Sequence, residues 1–169
     1  MPVEYFHVVF TLPHELAPLA LQNQALLYDF LFRAAAETLR EIAADPKRLG
    51  AQLGVVAVLH TWGQTLQHHP HVHCVVSGGG LAVDANGRVL EPARWVSCPP
   101  GFLLPQDVLK AKYKGKFLAW LKAAYAAGQL QFHGKLAALA EPAAFRALLE
   151  PLYVKKWWVY AKRPFACSS

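Results

Sequence analysis

His69-Pro70-His71-Val72-His73-Cys74-Val75-Val76 sets two imidazoles two residues apart at the head of an apolar run. In a strand, residues 71, 73 and 75 point to one face and 72, 74 and 76 to the other, so both rings project together. Val72, Cys74 and Val76 form an unbroken apolar row that suits the core side of a sheet, which leaves His71 and His73 facing outward into a site. A lone His-x-His pair would mean no more than two exposed polar rings. Its neighbourhood gives it chemistry.

Upstream, Gly54-Val55-Val56-Ala57-Val58-Leu59-His60-Thr61 reads as a second buried strand ending in a histidine, followed by a polar connection from Gly63 to His68. His60 and His71 then occupy facing strand ends. Three imidazoles from one hairpin make a cation site with coordination positions left open, the arrangement expected where a metal must touch a substrate. A closed structural site would want a fourth protein ligand. His69 and Gln64 are the candidates for a substitute or extra ligand, and His68 is expected to face water.

Outward from this hairpin, the first strand spans about Glu4 to Leu12, with Phe6, Val8 and Phe10 on one face and Tyr5, His7 and Val9 on the other; Pro13 ends it. Apolar residues recur at helical spacing from about Pro18 to Ala44, which predicts one long amphipathic helix stopped by Asp45-Pro46. After the histidine strand, Ser77-Gly78-Gly79-Gly80 predicts a sharp turn. A hairpin insertion over about 81–97 follows, with Asp84-Ala85-Asn86-Gly87 as its turn. Pro105-Gln106-Asp107 opens a second long helix running to about Gly128. A shorter helix spans Glu141 to Glu150, and Leu152 to Tyr160 reads as the last strand.

The order strand, helix, strand, strand, helix, strand predicts an α+β fold, a ferredoxin-like split βαβ antiparallel sheet with helices on one face. Its first and third strands are central neighbours. His7 would therefore lie near the histidine pair as a candidate site residue, lining the groove or resting against the sheet without touching metal.

At 169 residues the chain is the size of one domain and can bury a substantial core. No apolar stretch approaches the run of about 20 residues that crosses a bilayer. Met1 passes straight into the first strand without a basic leader or cleavage site, so the expectation is a cytoplasmic protein. Cys74, Cys98 and Cys167 show no Cys-x-x-Cys spacing and are expected to be reduced. Seventeen Lys plus Arg against eleven Asp plus Glu, a net charge of +6, suit a polyanionic partner. The charge is clustered: Lys110, Lys112, Lys114 and Lys116 surround Tyr113, while Lys155, Lys156, Lys162 and Arg163 bracket Trp157-Trp158-Val159-Tyr160. Lysines and arginines mixed with aromatics suit phosphate contact and base stacking, so Lys112, Lys114, Lys116, Lys155, Lys156, Lys162 and Arg163 are the candidate nucleic-acid contacts.

A His-hydrophobic-His triplet on the central strand of such a sheet resembles the HUH endonuclease superfamily, which cuts and joins single-stranded DNA. More narrowly, Tyr5-Phe6-His7-Val8-Val9-Phe10-Thr11-Leu12-Pro13, then His69-Pro70-His71-Val72-His73 with Ser77-Gly78-Gly79-Gly80, then Tyr160-Ala161-Lys162-Arg163-Pro164-Phe165 resemble two-tyrosine rolling-circle insertion-sequence transposases. The blocks fall in the family's order and span almost the whole chain. The placement of His60 eleven residues before His71 (71 − 60 = 11) is also similar to the three-histidine sites of conjugative relaxases.

The resemblance implies a divalent cation, Mg²⁺ or Mn²⁺, held by His71 and His73 with His60 as third ligand, and single-stranded DNA at insertion-sequence termini as partner. An activated tyrosine would attack phosphorus, giving a 5′-phosphotyrosine and a free 3′-hydroxyl. Three imidazoles would equally accept zinc or nickel, so the metal's identity comes from the family alone. The family also carries a cysteine-rich zinc-binding region before the first strand and a helix bearing the nucleophilic tyrosines after the Lys-Arg-Pro-Phe block. Neither is found here, and Tyr113 and Tyr125 are better read as core or groove residues. The expectation is thus residues 1–169 as one incomplete catalytic domain, with metal ligands present and nucleophile missing. Two other classes compete: a non-catalytic single-strand-binding module, and a cupin-like metalloenzyme using the His-x-His pair.

Overall fold

The computed structural model describes residues 3–63, 67–101 and 103–162. Strand β1 (Tyr5–Thr11) is followed by a 3₁₀ turn (His14–Leu16) and helices α1 (Ala17–Gln22) and α2 (Gln24–Ala44). Strands β2 (Ala51–Trp62), β3 (His68–Ala82) and β4 (Trp95–Ser97), helix α3 (Gln106–Ala126), a second 3₁₀ segment (Gly134–Ala140), helix α4 (Pro142–Val154) and strand β5 (Val159–Lys162) complete the chain.

The sheet runs β2-β3-β1-β5, all antiparallel, with β4 pairing the distal part of β3. This is the split βαβ order expected, with β1 and β3 in the middle. Alternation divides the strands into two surfaces. Phe6, Val8, Phe10, Val72, Cys74 and Val76 all face the core, where α2 and α3 cover them with Leu27, Phe30, Leu31 and Leu39 from one helix and Leu109, Tyr113, Phe117 and Leu121 from the other. Phe10, Tyr113, Phe117 and Trp157 meet edge to face or tilted, with ring centroids 5.1 to 6.4 Å apart. One open sheet with helices on a single side is incompatible with the double-sheet barrel of a cupin-like enzyme.

Four local expectations are corrected. The single helix over Pro18–Ala44 is two helices, broken at Asn23. The Asn23 amide donates to the carbonyls of Leu19 and Gln131 at 3.0 Å each and accepts from the Gln131 N–H at 2.7 Å, so a buried side chain replaces the interrupted helical bonds and ties them to the loop after α3. Ser77-Gly78-Gly79-Gly80 does not turn: β3 continues through it to Ala82. Glycine is required there by close approach, since a Cβ on Gly80 would stand 2.0 Å from the Gln52 carbonyl oxygen and one on Gly78 would stand 2.8 Å from that of Glu4. Ser77 spans the β2 irregularity beside it, accepting the Gly54 N–H at 2.9 Å and donating to the Gly79 carbonyl at 2.6 Å.

Third, α4 runs on through Pro151 to Val154, because Leu152 extends the buried stripe of Phe145 and Leu149, and the last strand begins only at Val159. Trp157 therefore precedes the strand, buried, with its indole N–H donating to the Leu152 carbonyl at 3.1 Å. Fourth, His68 does not face water. It is half-buried, with its Nε2 2.9 Å from the hydroxyl of Tyr28 on α2. The expected hairpin insertion is present, its turn held by the Asp84 carboxylate accepting the backbone N–H groups of Asn86 and Arg88.

Candidate metal centre

The uncovered face of the sheet carries the histidines. Antiparallel pairing sets His60 opposite His71, Val58 opposite His73, and His73 opposite Val9, so the three imidazoles come from neighbouring positions on two adjacent strands. One ring nitrogen from each of His60, His71 and His73 lies within 4.8 Å of the others. Ring centroids are 4.3 Å apart for His60 and His73, 4.9 Å for His71 and His73, and 5.5 Å for His60 and His71.

The hydrogen bonds say which nitrogens are free to ligate. His71 Nδ1 stands 2.6 Å from the His69 carbonyl oxygen, to which it must donate. His73 Nδ1 stands 2.6 Å from His7 Nε2, with the two rings stacked at an interplanar angle of 12°. Both rings thus commit Nδ1 to a neighbour and leave Nε2 free, the outer-sphere arrangement that fixes ring orientation in metal-binding histidines. Metal–nitrogen bonds of about 2.1 Å set ligand nitrogens roughly 3 to 3.5 Å apart, so holding a cation would draw the three rings inward from their present separation. The donor set fits a divalent cation, with further coordination positions open to the solvent side. Burial, followed by the like charges that His60, His71 and His7 would carry, holds the His73 imidazole down to about 4, so it is neutral and available near pH 7. His69 is lowered as well, by burial first and then by His71, His14 and His68.

His7 lies beside the pair, as the topology predicts, and holds the His73 ring directly. His69 is outside the triad; its carbonyl serves His71 and its ring stands 5.7 Å from that of His71. Gln64 and Arg163 lie outside the described residues. The lysine cluster on α3 sits on the helical side of the sheet. Lys116 pairs with Glu37 at 2.9 Å and Glu41 at 2.7 Å, Lys112 pairs with Glu41 at 2.7 Å, and Lys114 donates to the Tyr153 and Lys155 carbonyls. Lys162 lies opposite His7 on β5, and Lys155 pairs with Glu15 at 2.6 Å. Tyr113 is wholly buried against Phe10, its hydroxyl pushed well above the usual tyrosine range by desolvation, and Tyr125 donates to the Ala140 carbonyl at 2.6 Å. Neither points to the triad. His14 lines a small pocket with Thr11 and His69, and as an isolated histidine after Pro13 it gives no periodic signal in the sequence.

The family described as "Y2_Tnp: Putative transposase" matches residues 54–169 of the chain. The "Putative transposase y4qJ" of Sinorhizobium fredii (strain NBRC 101917 / NGR234) is 54% identical over 166 residues, covering 98% of this chain and 40% of its own length. The "Transposase for insertion sequence element IS801" of Pseudomonas savastanoi pv. phaseolicola is 51% identical over 75 residues, 44% of this chain and 17% of its own. The chain thus spans less than half the length of the curated relatives it matches. Among solved structures, the copper-bound conjugative relaxase TrwC in complex with OriT DNA superposes with a TM-score of 0.50 at 17% identity, covering 69% of this chain and 42% of that one. That likeness shows a shared HUH-type fold.

Proposed function

Because the chain belongs to the Y2_Tnp transposase family, we propose that it is the single-strand-binding and cation-holding part of a DNA transposase, with His60, His71 and His73 as ligands to Mg²⁺ or Mn²⁺. The observation that carries this reading is the convergence of three imidazole nitrogens within 4.8 Å on an uncovered sheet face, two of them oriented by bonds from Nδ1. A bound divalent cation supplies Lewis-acid polarisation of a phosphate oxygen and offsets charge developing on it. The residues of this chain hold the ring orientations: His69 through its carbonyl and His7 through Nε2. The open sheet face takes a single strand in the cytoplasm, at the termini of an insertion sequence. No helix among the described residues is long and apolar enough to cross a membrane.

In the reaction proposed for the longer relatives, a tyrosine oxygen bonds to phosphorus, the bond from phosphorus to the 3′ oxygen breaks, and that oxygen takes up a proton. The product is a 5′-phosphotyrosine and a free 3′-hydroxyl, which conserves the ester for rejoining. The attacking tyrosine is proposed to come from sequence outside residues 1–169: Tyr113 and Tyr125 are committed to packing and to a carbonyl, and the exposed Tyr5 and Tyr160 belong to strands β1 and β5, not to a helix bearing paired nucleophiles. Incubating the chain with Mn²⁺ and a labelled single-stranded oligonucleotide tests both halves. Binding without a covalent tyrosyl-DNA product is expected; a robust adduct would contradict the assignment of the nucleophile, and no preference for single strands over duplex would contradict the binding role.

A further inference from the structure

Trp157 and Trp158 are adjacent, and the fold uses them in opposite ways. Trp157 is 2% exposed and hydrogen-bonded in the core, while Trp158 is 73% exposed. Its backbone is nonetheless fixed, since its carbonyl accepts the Thr11 N–H at 3.1 Å. Packing does not require a large aromatic there, and an indole held in water on rigid backbone is the usual form of a stacking platform.

Beneath it lies a pocket of about 140 Å³ between the end of β1 and the segment before β5, lined by Thr11, His14, His69, Lys155, Lys156 and Trp158 among others. The volume is well below the roughly 300–1,000 Å³ of a site for a whole small molecule, so it takes a single group. Its polar lining is cationic or neutral. Glu15 stands against both Lys155 at 2.6 Å and His14 at 3.3 Å, which leaves Lys156 as the lysine of the pocket without an ion pair among the described residues. The pocket adjoins the metal centre through two contacts: the His69 ring is 5.7 Å from that of His71, and Thr11 is the β1 partner of His71.

We infer that this pocket is a nucleotide subsite. A phosphodiester of a single strand sits against Lys156, its base stacks on the Trp158 indole, and the neighbouring phosphate reaches the His60, His71 and His73 centre. The inference rests on the single-strand-binding role proposed above and adds where the strand enters. A base on the indole is sequence-tolerant, because every base presents a π-face.

Fluorescence anisotropy of a labelled thymidine oligonucleotide, titrated with the chain at several salt concentrations, tests this. Trp158→Ala is expected to weaken binding about tenfold or more, and Trp158→Phe to restore most of the loss. Lys156→Ala is expected to reduce the magnitude of the salt slope by about 0.7, the contribution of one phosphate contact on a single strand. Arg88→Ala, on the hairpin at the far end of the sheet, serves as the unchanged control. Both side chains at the pocket are exposed, so these variants keep the fold. Wild-type affinity and slope in both Trp158→Ala and Lys156→Ala, with the wild type binding well, would overturn the subsite alone. Absence of binding by the wild type would overturn the parent reading and the subsite with it.

Discussion

On the covered face of the sheet, Phe6, Val8, Phe10, Val72, Cys74 and Val76 are at most 2% exposed, whereas Tyr5, Val56, Val58 and Val75 on the other face are 46% to 65% exposed. The two sets are interleaved along the same strands. With a side-chain period of two, a displacement of one residue moves a position from the core to the surface where His60, His71, His73 and His7 gather. The covered face holds the fold together by excluding water, and the open face is relieved of that task and free to carry polar rings. The chemistry and the stability of this protein should therefore be separable by mutation.

The largest expected effect is on the covered face. Phe10→Ala removes a fully buried ring packed edge to face on Tyr113 and should destabilise the chain by about 3–5 kcal/mol in urea denaturation. Val58→Ala, on the open face beside His73, should change stability by no more than about 0.5 kcal/mol. Equal losses at the two positions would break the comparison. Next comes Gly80→Ala, where the added methyl meets the Gln52 carbonyl. It should cost about 1–3 kcal/mol by pushing β2 from β3, read as a lowered unfolding midpoint.

On the open face, His7→Phe keeps ring volume but removes the acceptor for His73 Nδ1. Cation affinity by calorimetric titration should fall about 10- to 100-fold while the urea midpoint of the metal-free chain stays near wild type. A change in stability without a change in affinity would assign His7 to packing. A separate test lies in pH. The His73 imidazole is depressed to about 4 from 6.5, so between those values the unfolded chain binds a proton that the folded chain does not. Stability of the metal-free protein should therefore fall as pH drops from about 6.5 towards 4. His69, also lowered, adds in the same direction, and His73→Phe should flatten the slope in thermal melts.

How much of this was legible in sequence follows from what is periodic. The alternation in β1 and β3 gave the two faces, and the spacing of His60, His71 and His73 gave the triad, because register in an antiparallel hairpin converts spacing into proximity. The Asn23 break was hidden because the apolar spacing continues from Leu19 to Leu26 and Leu27 across it. The hydrogen bonds that stabilise the break come from Gln131, a partner 108 residues away. The glycines after Ser77 read as a turn because composition does not distinguish a chain that must bend from one that another backbone approaches closely. Neither the opposite fates of Trp157 and Trp158 nor the pairing of Lys112 and Lys116 with Glu41 leaves a local signature, since each depends on where a distant helix lies.

Three imidazoles on the uncovered face are proposed to hold one divalent cation. Titrating Mn²⁺ into the wild type and into a His71→Ala, His73→Ala double variant at neutral pH tests it most directly. One ion bound per wild-type chain and a raised unfolding temperature on binding are expected, with neither effect in the double variant. Saturable binding of equal affinity in both proteins, or none in the wild type, would contradict it.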